Sequence, residues 1–208
     1  MSKQYKVAVI PARMQMFTKA HERLIIEAGK LADLVIVALG STNVASSIKN
    51  PFDYDFRSDV IYHWSNEYGK LGSGLCINIP DTPELSDWLY SLKINTSLSY
   101  EEQMGYDAPN SNEIILVGSS KDNDGTMRGE WAEKLGWDCH NVEPFKNEYG
   151  ELLNATDIRK SYFRRPSFGT EYISWDKMVP VSCIGIYEDF MKTGAYTRLR
   201  EEWAEIEW

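Results

Sequence analysis

The stretch Val7-Ala8-Val9-Ile10-Pro11-Ala12-Arg13-Met14-Gln15-Met16-Phe17-Thr18-Lys19-Ala20-His21 constrains the fold most. It opens as a short apolar run rich in β-branched residues, which reads as a buried strand. The run is expected to stop at Pro11, which has no N–H for a sheet ladder. After a loop, Thr18 stands where a helix should begin, because the apolar spacing of Leu24, Ile25, Ala28, Leu31 and Ala32 starts just behind it. Thr18 and His21 then project from one side of the first helical turn. The free N–H groups of that turn, the positive end of the helix dipole, Arg13, Lys19 and His21 outline a phosphate site. Taken alone, a plain cap with a surface histidine on an ordinary strand–loop–helix is the better reading.

Further along, Leu34–Leu39, Leu75–Ile79 and Glu113–Val117 read as strands, the second and fourth strands ending at Gly40 and Gly118. Helical patterns lie between them, through Arg57, Val60, Ile61 and Trp64 and through Leu85, Trp88, Leu89 and Leu92. A polar segment from Asn95 to Asn112 reads as a mobile loop. From Asn154 onward the pattern is helical, over Thr156–Phe163, Val181–Met191 and Tyr196–Trp208. Alternation of this kind predicts an α/β fold, a doubly wound (Rossmann-like) parallel sheet with helices on both faces and a helical C-terminal part. The expected organisation is a core over 1–165 and a helical extension over 166–208 packed on the same domain. Ligands of such sheets bind beyond the carboxyl ends of the strands, which groups Arg13–His21, Ser41–Lys49, Asp81 and Gly118–Asp122 on one rim.

With 31 acidic against 22 basic residues the net charge is −9, which argues against nucleic acid as a partner. No apolar segment is long enough for a membrane span, and no secretory leader is read at the start. A cytoplasmic protein is expected. Cys76, Cys139 and Cys183 form no paired motif and read as core thiols. Neither G-x-G-x-x-G nor G-x4-G-K-[ST] occurs.

The first loop resembles the (H/T)-x-G-H signature of the nucleotidyltransferase superfamily. More narrowly, it resembles the G-R-[FM]-Q-P-F-H-x-G-H run of nicotinamide-mononucleotide adenylyltransferases of the archaeal and bifunctional type. Arg13, Met14, Gln15, Phe17 and His21 match, while Ala12, Met16, Thr18 and Ala20 depart from it. Ala20 replaces a glycine that would let backbone approach a triphosphate closely. Leu153-Asn154-Ala155-Thr156-Asp157-Ile158-Arg159 is similar to the second signature, I-S-x-T-x-I-R, with Lys160, Tyr162 and Phe163 continuing the likeness. Asn154 or Thr156 can cap a helix there, and Arg159 adds a forked cation.

Three shorter stretches resemble the same family. Ser46-Ser47-Ile48-Lys49-Asn50-Pro51-Phe52, continuing to Arg57, places Lys49 where the family meets the mononucleotide phosphate; Phe56 stands in place of a glutamate. A surface cation ahead of an ordinary helix is the plainer reading for Arg57. Gly118-Ser119-Ser120-Lys121-Asp122 is similar to G-H-x-K-D, with Ser119 for histidine. Asp81 and Trp88 match a D-x6-W pattern whose Trp stacks on the nicotinamide ring, although Trp88 also keeps helical spacing with Leu85, Leu89 and Leu92. Val179-Pro180 to Leu199 resembles the tail of the bifunctional type's transferase domain. Arg200-Glu201-Glu202 lacks the pattern of a Nudix box, so no Nudix domain is expected here.

The resemblance implies adenylyl transfer from ATP to nicotinamide mononucleotide, giving NAD and pyrophosphate, with Mg²⁺ as cofactor and no protein metal cage. It implies His21, Thr18, Lys19 and Arg159 as catalytic residues, and Arg13, Met14, Gly118, Thr156 and Ile158 as ATP contacts. Phe17, Lys49, Asp81 and Trp88 would bind the acceptor. A homo-oligomer is compatible with this reading. The five departures Ala12, Met16, Ala20, Ser119 and Asn154 keep an alternative open, a catalytically silent nucleotide-binding sensor or scaffold. A nucleotidyltransferase acting on another phosphate is a third.

Overall fold

Five short strands, the central ones apolar on both faces, build one parallel sheet: β1 (Tyr5–Ala12), β2 (Ala32–Leu39), β3 (Leu75–Asn78), β4 (Ile114–Ser119) and β5 (Asp138–Val142). Their order is β3-β2-β1-β4-β5, so the chain reverses direction across the sheet between β1 and β4. The computed structural model describes residues 3–68, 75–119, 124–147, 150, 152–164 and 174–205. The helices are α1 (Lys19–Leu31), α2 (Tyr54–Tyr68), α3 (Leu85–Met104), α4 (Asp124–Leu135), α5 (Ala155–Phe163), α6 (Trp175–Met178), α7 (Ile184–Phe190) and α8 (Gly194–Glu205). This is the expected doubly wound α/β architecture.

Alternate residues of the central strands feed two cores, one on each face. Ala8, Ile10, Val35, Val37, Ile115 and Val117 join the face covered by α1, α2, α5, α7 and α8. Val7, Val9, Leu34, Ile36 and Leu116 join the face covered by α3 and α4. Each fully buried Val, Leu or Ile contributes roughly 1.5–3 kcal/mol by leaving water. The first face is rich in aromatic rings: Phe52, Tyr162, Phe163 and Tyr187 pack edge-on, tilted and stacked at centroid distances between 4.8 and 6.3 Å. Leu199 and Trp203 of α8 are buried in the same cluster, so the C-terminal helices share the core of the sheet.

Several expectations need correction. β1 runs through Pro11 to Ala12, paired with β2, whereas its ladder to β4 spans only Val7–Val9. With one side of the strand open there, a residue lacking an N–H is tolerated. The segment from Asn95 is helical to Met104, because buried Thr96 and Tyr100 continue the inward stripe of Leu89 and Leu92. Their polar atoms hid that stripe, and the helix ends only at Gly105, whose φ of 68° suits glycine. β5 was not anticipated: it is an edge strand with four exposed residues out of five, so it lacks an apolar run. Among the thiols Cys183 is buried and Cys76 partly so, but Cys139 is exposed. Burial pushes the Cys76 thiol up to about 12.

Arg57 is the largest departure, since it is only 2% exposed. Its Nε donates to the Asp53 carbonyl at 2.9 Å, and its Nη1 donates to the carbonyls of Arg13 at 2.6 Å and Gly40 at 2.9 Å. One side chain of α2 thus ties the loop after β1 to the end of β2. Burial lowers its pKa, with the nearby Asp53 carboxylate opposing that shift. Replacing Arg57 by Met keeps the apolar stem and removes the donors. The Arg13 and Gly40 carbonyls lose this partner, while relief of a buried charge offsets part of the loss. Urea unfolding should show a destabilisation of about 2–4 kcal/mol with an unchanged slope, and an unchanged midpoint would refute the latch.

Candidate nucleotide-binding site

A cavity of about 680 Å³ opens at the carboxyl ends of β1, β2 and β4, beside the point where the strand order reverses. Its wall begins with the loop after β1, which Met14 at φ 44° and Met16 at φ 123° fold tightly. Proline cannot adopt the second of these angles, so Met16 is a departure from the family run that alters backbone geometry. Gln15 turns inward, where its amide donates to the Phe52 carbonyl and accepts the Phe52 N–H, both at 3.0 Å. That pair pins the loop to the segment ahead of α2.

Thr18 caps α1, and the Nδ1 of His21 in the same turn accepts the Thr18 N–H at 3.1 Å. It is a capping box with histidine in the usual glutamate place. Because Nδ1 is the acceptor, the neutral ring carries its proton on Nε2. Burial lowers the His21 pKa to about 4, aided by the positive charge of Arg159 and opposed by the Met16 carbonyl. His21 is therefore a neutral hydrogen-bond donor at pH 7, not a cation. Phe17 lies behind it, its ring stacked on the imidazole at 6.2 Å and tilted against Trp64 at 5.3 Å.

The second signature closes the opposite wall. Asn154 accepts the Thr156 N–H at 3.0 Å and caps α5. One turn on, Arg159 donates to the Gln15 carbonyl and to the Thr156 hydroxyl, both at 3.2 Å. Its Nε is buried without a partner, and burial together with the charge of Arg13 lowers the guanidinium to about 10. Arg159 stays charged at neutral pH, beside Arg13 and where an anion would relieve the crowding of like charges. Arg23 and Arg128 add two more guanidinium groups to the cavity, against Asp81 and Glu143. The Asp81 carboxylate is held by the Ser41 N–H at 3.2 Å and the Ser41 hydroxyl at 2.8 Å, which fixes the loop after β2.

The cavity brings together Arg13, Thr18, His21, Asp81, Trp88, Thr156 and Arg159 from the sequence reading. Others lie elsewhere. Met14, Phe17 and Ile158 are core residues, and Lys49 is exposed beyond the cavity lining. Lys19 lines a separate groove with Glu22, Trp64 and Pro180. Gly118 is buried in β4 beneath Arg128, whose Nη1 donates to the Ser119 carbonyl at 2.7 Å; a Cβ on Gly118 would fall 2.2 Å from the arginine Cδ. Lys121 and Asp122 fall outside the described residues. Arg128 and Trp131, missed by the sequence reading, share one face of α4, and the Trp131 ring packs at 5.0 Å from that of Trp88. Their three-residue spacing is the signal the sequence offers for them, in a stretch without an apolar period.

No family model and no curated protein matches the chain. Solved structures do. A bifunctional NMN adenylyltransferase/ADP-ribose pyrophosphatase from Francisella tularensis aligns at TM-score 0.72 and 25% identity over 98% of this chain and 58% of its own. A second structure of that description, complexed with AMP and a Mn ion, aligns at TM-score 0.70 and 22% identity over 95% of this chain and 52% of its own. Thus the chain spans little more than half the length of these proteins. A nicotinic acid mononucleotide adenylyltransferase of Plasmodium falciparum, complexed with NaAD, aligns at TM-score 0.56 and 11% identity over 93% and 98% of the two chains. The sheet order, the cavity at its switch point and these alignments agree: the chain has the fold of the mononucleotide adenylyltransferases of the nucleotidyltransferase superfamily.

Proposed function

We infer that this chain transfers the adenylyl group of ATP to the phosphate of a pyridine mononucleotide, with nicotinamide mononucleotide as the acceptor and NAD and pyrophosphate as products. Fold alone does not assign a reaction. The observation that carries this reading is the convergence, in one cavity, of the His21 turn and the Arg159 turn, with four guanidinium groups in a chain of net charge −9. Such a site suits a polyphosphate. Trp88 and Trp131 offer aromatic faces to a planar base on the same wall.

The acceptor phosphate is already ionised, so its oxygen attacks the α-phosphorus of ATP in line without a general base. The new bond is acceptor oxygen to α-phosphorus; the bond broken releases pyrophosphate. What the chain supplies is alignment and compensation of developing charge. His21 presents Nε2–H to the α-phosphate, while Arg13 and Arg159 hold the leaving pyrophosphate. Among the described residues no cluster of three His, Cys, Asp or Glu is placed to hold a metal ion. A divalent ion such as Mg²⁺, brought in with ATP, would offset part of the triphosphate charge.

The test is pyrophosphate release from ATP and Mg²⁺ with nicotinamide mononucleotide, nicotinate mononucleotide or no acceptor, with NAD read by a coupled dehydrogenase. Release that depends on the nicotinamide mononucleotide is expected. Measurable ATP binding with no release for any acceptor would instead support a nucleotide sensor, the reading suggested by Ala20 on the cavity wall.

His21→Ala should lower kcat by about 10²–10³-fold while KM for ATP changes little, because the donated hydrogen bond strengthens only as charge develops. Equal losses in binding and turnover would assign His21 to ground-state binding. The activity profile should show no inflection from His21 between pH 5.5 and 8, since its proton is lost near 4. Its folded pKa lies below the usual 6.5, so the unfolded chain binds the extra proton between these values. This histidine's contribution to stability is thus fully present above about pH 6.5 and is lost as pH falls toward 4. A His21→Gln variant should show a weaker acid dependence of unfolding over that window.

A further inference from the structure

The C-terminal helices reach the site through one hydroxyl. We propose that Tyr187 is a positioning residue of the nucleotidyl-transfer site, its buried hydroxyl accepting the Phe17 N–H and so fixing the loop that aims His21. This deepens the adenylyl-transfer reading and rests on it for its kinetic part.

Three side chains grip the backbone of the loop after β1, and a fourth, that of Gln15 in the loop, ties it to Phe52. Arg57 holds the Arg13 carbonyl, Arg159 holds the Gln15 carbonyl, and the Gln15 amide is itself pinned to Phe52. Those three act on its first half. Its last residue before the cap is gripped by Tyr187, whose hydroxyl accepts the Phe17 N–H at 2.7 Å across 170 residues of sequence. Two residues with positive φ, Met14 and Met16, lie between these anchors. A backbone in that region keeps its shape only where its surroundings over-determine it.

Phe17 controls His21 in two ways. Its ring stacks on the imidazole, and its peptide carbon leads directly into the Thr18 N–H that His21 Nδ1 accepts. A drift of Phe17 therefore moves both the floor under the ring and the donor that fixes its tautomer. Tyr187 is 1% exposed and is held in turn: its carbonyl accepts the Tyr162 hydroxyl at 2.6 Å, and the Tyr162 carbonyl accepts the Tyr196 hydroxyl at 3.0 Å. Tyr162 sits one turn beyond Arg159 on α5. The chain Tyr196–Tyr162–Tyr187–Phe17 thus sets the His21 turn and the Arg159 turn relative to each other. A ring nitrogen and a guanidinium must meet neighbouring phosphates of one ligand, so their spacing decides turnover.

Tyr187→Phe keeps the ring and removes the acceptor. In the full-length protein kcat should fall about 10–100-fold, with both KM values within about twofold of wild type. Without nucleotide, amide exchange at Phe17 should accelerate. The His21 titration followed by NMR should move from about 4 toward 6.5 as the loosened ring regains water. The charged group acting on His21 is Arg159, which the substitution leaves in place, with the Met16 carbonyl opposing it. Tyr162→Phe, which frees the Tyr187 carbonyl, should shift His21 in the same direction by less, and serves if Tyr187→Phe does not fold. Leu199→Ala, in the core of α8, should lower Tm and leave the His21 titration in place.

Wild-type Phe17 exchange and His21 titration in Tyr187→Phe would overturn the proposal. So would an equal His21 shift in Leu199→Ala, which would make Tyr187 an ordinary core residue. If wild type transfers no adenylyl group, the proposed function falls while the two nucleotide-free readings still decide the role of Tyr187.

Discussion

The site depends on how the loop after β1 is held, because that loop is both short and bent through unfavourable backbone angles. Met14 and Met16 have positive φ, a conformation that costs of order 1–3 kcal/mol for each such residue. Side chains from distant parts of the chain compensate. Arg57 from α2 and Arg159 from α5 donate to loop carbonyls, Gln15 pairs with the Phe52 backbone, and Tyr187 from α7 takes the Phe17 N–H. Each grip is a polar group satisfied in a buried place, where the alternative is an unpaired carbonyl or N–H.

Electrostatics follows from the same framework. An acidic chain collects Arg13, Arg23, Arg128 and Arg159 around one cavity and buries the guanidinium of Arg159 without a carboxylate partner. Burial, with the repulsion of Arg13 added to it, lowers the pKa of Arg159, a penalty that a bound polyanion would reverse. His21 stays neutral, chiefly because it is buried and in lesser part because of the Arg159 charge. In the proposed reaction it would donate a hydrogen bond from a fixed tautomer, and a fixed donor costs no reorganisation when charge develops.

Some of this was legible residue by residue. The β-branched runs of β1 and β2, the Thr18 cap and the Leu24, Ile25, Ala28 stripe are local signals, and all are where the pattern put them. The resemblance in the two signatures located His21 and Arg159 in one cavity although neither turn is near the other in sequence. Elements whose inward residues are polar were not legible: Thr96 and Tyr100 bury against the sheet, and β5 shows four exposed residues. Hydrophobic periodicity carries no information there. Arg57 misled for the same reason, since a charged residue ahead of an amphipathic stripe reads as solvated.

By itself, then, the sequence determined the order of the first four strands, the helices read around them and the chemical types at the two helical turns, because caps and apolar periods act over a few residues. Only the tertiary structure decided which side of a turn faces the cavity. It placed Lys19 in a separate groove, left Lys49 exposed beyond the lining, and brought in Arg128 and Trp131 from a helix the pattern did not reveal. It also set the proton of His21, since burial and the charge of Arg159 arise from residues far along the chain. Side-chain direction, burial and field are sums over neighbours that sequence spacing does not specify.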